Sequence, residues 1–164
     1  MDRLPEFVME RSFAAPADLV WQAWAEPALF ARWYGPGAKT HVLAQDLRPG
    51  GIARLQMEWG PRVQYQRFEY LVVEPPRALS FVMVITDAMG TPTAPEQAPD
   101  WPRRLLTNVH LTPAGAATDL RLTWVPDAAT PAEIAFFASA IQGLGRGWGA
   151  GFALLEEVLA ELAA

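Results

Sequence analysis

Along residues 52–59 apolar and polar positions alternate one by one, so that Ala53, Leu55, Met57 and Trp59 share one face while Arg54, Gln56 and Glu58 share the other. That period of two marks a strand with one dry and one wet side. Segments of similar texture at 40–47, 63–74, 78–86, 104–112 and 118–125 are punctuated by Arg48-Pro49-Gly50-Gly51, Gly60-Pro61, Pro75-Pro76 and Pro113-Ala114-Gly115. Short strands at this spacing predict an antiparallel meander of six. A further strand precedes them over 6–13, with Phe7, Met9 and Phe13 on one parity.

Between that strand and the meander the period changes. Leu19, Val20, Ala23 and Trp24 recur at helical spacing behind Pro16, which suits a first helical position, and Asp18 favours the dipole of the first turn. Pro27 opens a second short helix that Gly35-Pro36-Gly37 ends. Residues 130–163 predict one long helix: Thr130-Pro131-Ala132-Glu133 is a capping box, and Ile134, Phe137, Ala138, Ile141, Trp148, Phe152, Leu155, Leu159 and Leu162 form an apolar stripe. Glycines at 143, 145, 147, 149 and 151 interrupt it. Each costs about 0.8 to 1 kcal/mol relative to alanine inside a helix. They imply a helix thinned, with a kink as the alternative, where something comes close to its backbone.

Composition narrows the chemistry. A chain of 164 residues fits one domain, 1–164, and no apolar run in it approaches the ~20 residues of a membrane span. The opening Met-Asp-Arg-Leu-Pro-Glu lacks a basic-then-apolar leader pattern, so a cytoplasmic location is expected. The absence of cysteine removes disulfides, thiolate nucleophiles and cysteine metal sites. With only His41 and His110 as imidazoles and no dense carboxylate cluster, neither a metal nor a cofactor is expected. The formal net charge of -5, with basic residues that are all arginine except Lys39 and are scattered along the chain, argues against nucleic acid.

No catalytic constellation stands out. Glu10, Asp46, Glu58 and Glu69 lie on strands or strand ends without the pairing that general acid-base work needs, and His110 opposes the parity of Val109 and Leu111. There is no Gly-x-Ser-x-Gly, and the helix glycines lack the Lys-Ser/Thr ending of a phosphate loop. No residue is therefore assigned to catalysis.

The apolar faces suggest something else. Leu55, Met57, Trp59, Val63, Tyr65, Phe81, Met83, Val109, Leu111, Leu120, Leu122 and Trp124 fall on the parity expected to meet the helix, where Trp148 and Phe152 answer them. This surface either fills a core or lines a pocket, and seven tryptophans beside a thinned helix favour a pocket. The alternation breaks at Arg67-Phe68, which admits a bulge aiming Arg67 inward to orient a ligand carboxylate, phenolate or carbonyl; the alternative is an outward Arg67 paired with Glu58 or Glu69. Trp101, in the Pro-rich loop 87–103, either anchors that loop or caps the pocket's mouth. Of Trp33 and Tyr34 before the Gly-Pro-Gly, Trp33 is expected to point inward and Tyr34 to stand near the entrance. The candidate ligand-binding set is Trp33, Leu55, Met57, Trp59, Tyr65, Arg67, Phe81, Met83, Trp101, Trp124, Trp148 and Phe152.

The chain also carries Arg11-Ser12-Phe13-Ala14-Ala15-Pro16, Leu19-Val20-Trp21-Gln22-Ala23-Trp24 and Ala31-Arg32-Trp33-Tyr34-Gly35-Pro36. Further along stand Arg48-Pro49-Gly50-Gly51, Val73-Glu74-Pro75-Pro76, and Gly147-Trp148 followed by Leu154-Leu155. In these motifs, over almost its whole length, it resembles the START-like (SRPBCC) proteins related to the activator of the 90-kilodalton heat-shock-protein ATPase. The resemblance implies an α+β helix-grip fold: a curved six- to seven-stranded antiparallel sheet wrapped around a long C-terminal helix, with two short helices after strand one and a cavity between sheet and helix. It leaves the ligand open, and the apolar faces point to a small hydrophobic one, aromatic or polyketide- or lipid-like. It also brings two alternatives, a chaperone-activator-like interaction module and a cyclase- or hydrolase-like enzyme using Tyr65 or Arg67 to polarise a carbonyl. The chaperone reading is disfavoured because strand one begins almost at the N-terminus, and a homodimer is compatible with any of the three.

Overall fold

The computed structural model describes residues 3–164. Its elements are β1 (Phe7–Phe13), α1 (Ala17–Ala25), α2 (Pro27–Trp33), β2 (Lys39–Gln45), β3 (Ile52–Trp59), β4 (Arg62–Glu74), β5 (Ala78–Thr86), β6 (Arg104–Ala114), β7 (Ala117–Pro126) and α3 (Pro131–Ala163). The strands form one curved antiparallel sheet in the order β1-β7-β6-β5-β4-β3-β2. The expected meander is thus β2 to β7, and β1 adds itself to the edge of β7 with Phe7 opposite Trp124 and Phe13 opposite Thr118. Because β1 and β2 lie at opposite edges, α1 and α2 must carry the chain across the full width of the sheet. They do so on the face that α3 also covers, with Val20, Trp24, Phe30 and Trp33 buried.

Residues opposite one another in neighbouring strands share a face. Leu105, Met83, Phe68 and Ala53 form one continuous buried row across β6, β5, β4 and β3. Ile85, Gln66 and Leu55 form the next. This register overturns the expected parity of β4. Gln66, Phe68 and Tyr70 point to the helices, so Val63 is 48 % exposed and Tyr65 stands opposite Gln56 on the outer face. Arg67 is opposite Arg54, also outside. The irregularity lies between Tyr70 and Val72 instead, where Leu71 is extruded and the parity changes.

The long helix begins with the expected capping box: Thr130 accepts from the Glu133 backbone N–H, and the Glu133 carboxylate accepts from the Thr130 N–H. It is α-helical from Pro131 through Ala163, glycines included. Its C-terminal part packs densely, with Phe152, Leu155, Val158 and Leu159 buried and Phe152 edge-on to Phe13 at 5.5 Å.

Candidate functional site

One end of the space between sheet and α3 is not filled. A cavity of about 300 Å³ lies there, floored by Met57 and Trp59 of β3, Gln66 of β4 and Trp124 of β7, and walled by Trp33 to Pro36, Trp101 and the α3 residues Gly143, Leu144, Gly147, Trp148 and Gly151. That volume is at the lower end of the range for small-molecule sites, and its wall is the apolar kind they favour.

Each wall has a local cause. Trp33 closes α2 and is locked by its own Nε1–H, which donates to the Ala23 carbonyl at 3.0 Å. Gly35, at φ +73°, turns the chain away immediately afterwards, and a Cβ there would lie 2.1 Å from the Met57 methyl. The positive φ favours glycine, and a side chain there would also have to push the flexible end of Met57 aside. Trp124 is held by donating to Thr107 Oγ1 at 2.9 Å, and its ring meets Trp148 edge-on at 5.3 Å. Trp101 reaches in from loop 87–103 to lie 6.1 Å from Trp124 and 5.9 Å from Phe137. It both anchors the loop and closes one side of the cavity, so the two alternatives for it are one arrangement.

The helix glycines act differently from one another. At Gly151 a Cβ would be 3.4 Å from the Trp33 carbonyl oxygen, a close approach of the expected kind. At Gly143, Gly145 and Gly147 a Cβ would meet nothing within 4 Å. Gly143 and Gly147 are one turn apart, exposed, and on the cavity wall. Their missing side chains leave open space rather than admitting a neighbour, which corrects the reading of the whole stretch as a contact surface.

Polar groups are few and neutral. Tyr34 is buried, not at the entrance, and its hydroxyl donates to Gln66 Oε1 at 2.7 Å; Gln66 Nε2 in turn donates to Gln64 Oε1 at 2.8 Å. Burial pushes the Tyr34 hydroxyl far above its ordinary value of 10, an effect the Gln66 hydrogen bond only partly offsets. The phenol is therefore neutral at any ordinary pH. Among the described residues no carboxylate, guanidinium, ammonium or imidazole lines the cavity. Among the described residues no three His, Cys, Asp or Glu side chains form a group that could hold a metal ion.

Six of the twelve anticipated residues meet at the cavity: Trp33, Met57, Trp59, Trp101, Trp124 and Trp148. Leu55 and Phe81 instead border a void of only about 10 Å³ deeper under α1 and α2. Met83 and Phe152 are packed core. Tyr65 and Arg67 face away, and Arg67 donates to Glu69 at 3.1 Å and to the Gly90 carbonyl at 3.0 Å. Neither can touch a ligand in the cavity, which takes away the groups on which a carbonyl-polarising enzyme would rest. Sequence reasoning missed Tyr34 and Gln66 as wall residues. Phe68 and Tyr70 share the parity of Gln66, but Val63 and Tyr65 on the other parity compete with them, so the pattern of β4 alone does not choose between its two faces.

Similarity places the chain in a family. Residues 14–160 match the family model described as activator of Hsp90 ATPase homolog 1-like protein. The chain belongs to this family. Among solved structures of the same fold, a protein from Arthrobacter aurescens superposes with a TM-score of 0.80 at 20 % identity, covering 95 % of this chain and 86 % of that one. Protein Ms6760 from Mycobacterium smegmatis gives 0.75 at 23 %, covering 94 % and 90 %. CalU16 from Micromonospora echinospora gives 0.60 at 21 %, covering 94 % and 75 %. At these identities the likeness is one of fold. Among curated proteins there is no significant match to the sequence. No helix among the described residues is long and apolar enough to cross a membrane.

Proposed function

We propose that this member of the family binds a small, uncharged aromatic molecule between its sheet and α3. The observation that carries the reading is the open space at Gly143 and Gly147, beside a wall containing five tryptophans and no charge. A helix that loses about 0.8 to 1 kcal/mol at each glycine gains nothing in packing from these two. What it gains is room. A cavity of about 150 Å³ lined by aliphatic and aromatic groups takes benzene, so the roughly doubled volume here suits a body of two rings.

The absence of charge also sets the ligand's sign. Burying an ion against this wall would strip its hydration with only Tyr34, Gln66 and indole N–H groups to replace it. The test is titration with N-phenyl-1-naphthylamine and with its sulfonated analogue 1-anilinonaphthalene-8-sulfonate, following probe and tryptophan fluorescence. The neutral probe is expected to bind saturably and at least tenfold more tightly than the anion. Gly147→Leu, which puts a side chain into the open space, is expected to weaken the neutral probe at least tenfold while far-UV circular dichroism stays native. Failure of the folded wild type to bind the neutral probe, or indifference to Gly147→Leu, overturns the reading.

A further inference from the structure

Trp59 is a wall of two cavities. On one side lies the apolar cavity described above; on the other is a groove of about 400 Å³ between the β3–β4 turn and loop 87–103, lined among others by Arg62, Gln64, Thr86, Thr93, Glu96 and Gln97. The groove's far wall is not loose chain. Thr93 N–H donates to the Ile85 carbonyl at 2.9 Å and Pro92 forms a bridge with Thr86, which pins the loop to β5.

The polar lining is continuous past the indole. Gln64 borders the groove and accepts from Gln66, which borders the cavity and accepts from Tyr34. A ligand substituent running along that edge of Trp59 would pass the side-chain amides of Gln66 and Gln64 on its way from the cavity to the groove. Beside Pro61, Val63, Ile85, Ala94 and Pro95 the groove offers amide and hydroxyl groups, with one cation and one anion, Arg62 and Glu96, for no net charge. Such a lining matches a neutral group bearing several hydroxyls better than a carboxylate or an ammonium.

Resting on the proposed binding of an uncharged aromatic body, we infer that the ligand extends past Trp59 and carries a neutral, hydroxyl-rich substituent seated in this groove. The apolar cavity selects the ring system, and the groove selects what is attached to it.

Calorimetric titration of the wild type with 2-naphthol, 2-naphthyl β-glucoside and 2-naphthyl β-glucuronide separates the two claims. The glucoside is expected to bind about tenfold more tightly than naphthol, the effect of one or two net hydrogen bonds, and the glucuronide no more tightly than the glucoside. Backbone amide resonances of Thr93 and Gln97 are expected to shift with the glucoside and not with naphthol. Ala94→Trp, which fills the groove from the loop side, is expected to remove the glucoside's advantage. A glucoside that binds no better than naphthol, an advantage that survives Ala94→Trp, silent groove resonances, or a preference for the glucuronide would each overturn the inference while leaving the cavity reading intact. No binding of naphthol itself overturns both.

Discussion

The two ends of the gripped interior are built from the same kinds of residue and end up in opposite states. Under α1 and α2, Trp24, Phe30, Phe68, Leu79 and Phe81 close around a void of about 10 Å³, room for at most one water. Under the middle of α3, Trp33, Met57, Trp59, Trp124 and Trp148 surround about 300 Å³. The sheet contributes apolar rows to both. What differs is the element laid on top: short helices that send Trp24 and Phe30 into the sheet at one end, and at the other a helix that presents Gly143, Gly147 and Gly151 beside Leu144 and Trp148. Apolar lining alone does not distinguish a filled core from an open cavity; the helix facing it does.

The comparison predicts unequal costs for removing aromatic rings. Phe152 is fully buried and touches Phe13, Trp33 and Trp148. Phe152→Ala is expected to destabilise by about 3 to 5 kcal/mol through lost burial and the cavity left behind. Trp59 is only half-buried and already borders open space, so Trp59→Ala is expected to cost about 1 kcal/mol or less while weakening the naphthylamine probe. Urea unfolding of both variants beside probe titration checks this. Equal stability losses would mean that the cavity collapses in solution.

Next in size is the polar seam of the open end. Tyr34→Phe removes the donor to Gln66 Oε1 and leaves a buried amide oxygen short of a partner, at about 1 to 2 kcal/mol. Tyr34→Phe is expected to lower the urea midpoint with an unchanged slope. A neutral result would show that solvent in the cavity replaces the hydroxyl.

Smaller effects come from the glycines, and here the size changes along the helix. Gly143→Ala and Gly145→Ala place a methyl in open space and are expected to stabilise by about 0.8 to 1 kcal/mol each, the difference in helix propensity. Gly151→Ala is expected to gain less, because its methyl would meet the Trp33 carbonyl oxygen at 3.4 Å, the tight end of ordinary contact. Thermal unfolding of the three variants orders them. A loss at Gly143 or Gly145 would mean that the helix is not intact there in solution.

How legible this was follows from where periodicity carries information. The strands, both short helices and the capping box were readable because period, turn residues and caps agree locally. The inner side of β4 was not: Val63 and Tyr65 look like a core parity, and only the pairing of Leu55 with Gln66 and Ala53 with Phe68 shows that the opposite set is inside. Register is a property of two strands, so one strand's pattern cannot fix it when both faces carry aromatics. For the same reason only half of the candidate residues line the cavity. Met57, Trp59 and Trp124 were found because their own strands alternate cleanly, whereas Gln66 lay hidden on the parity that looked wet.

The outer face supplies a control that sharpens the contrast between the two ends. Glu69 sits outside β4, accepting from Arg67 at 3.1 Å and from Arg104 at 3.0 Å, while Arg104 also donates to Asp127 at 3.0 Å. Partial burial alone would raise the Glu69 carboxyl pKa, but the hydrogen bonds and charges of Arg104 and Arg67 outweigh it and hold the group below its ordinary 4.5. A carboxyl depressed on folding stabilises the native state above its unfolded value, and that stabilisation is lost as pH falls through the lower folded value. The wild type is therefore expected to lose stability below about pH 4.5, and Glu69→Gln to flatten part of that acid limb. At near-neutral pH the substitution is expected to cost less than about 1 kcal/mol, as suits a partly solvated ion pair. Because Glu69 points away from both ends of the interior, probe affinity at neutral pH is expected to stay at the wild-type value. A change in affinity with Glu69→Gln would mean that the outer ion network sets the curvature of the sheet under the cavity, and the open end would then owe its volume to both faces rather than to the helix glycines alone.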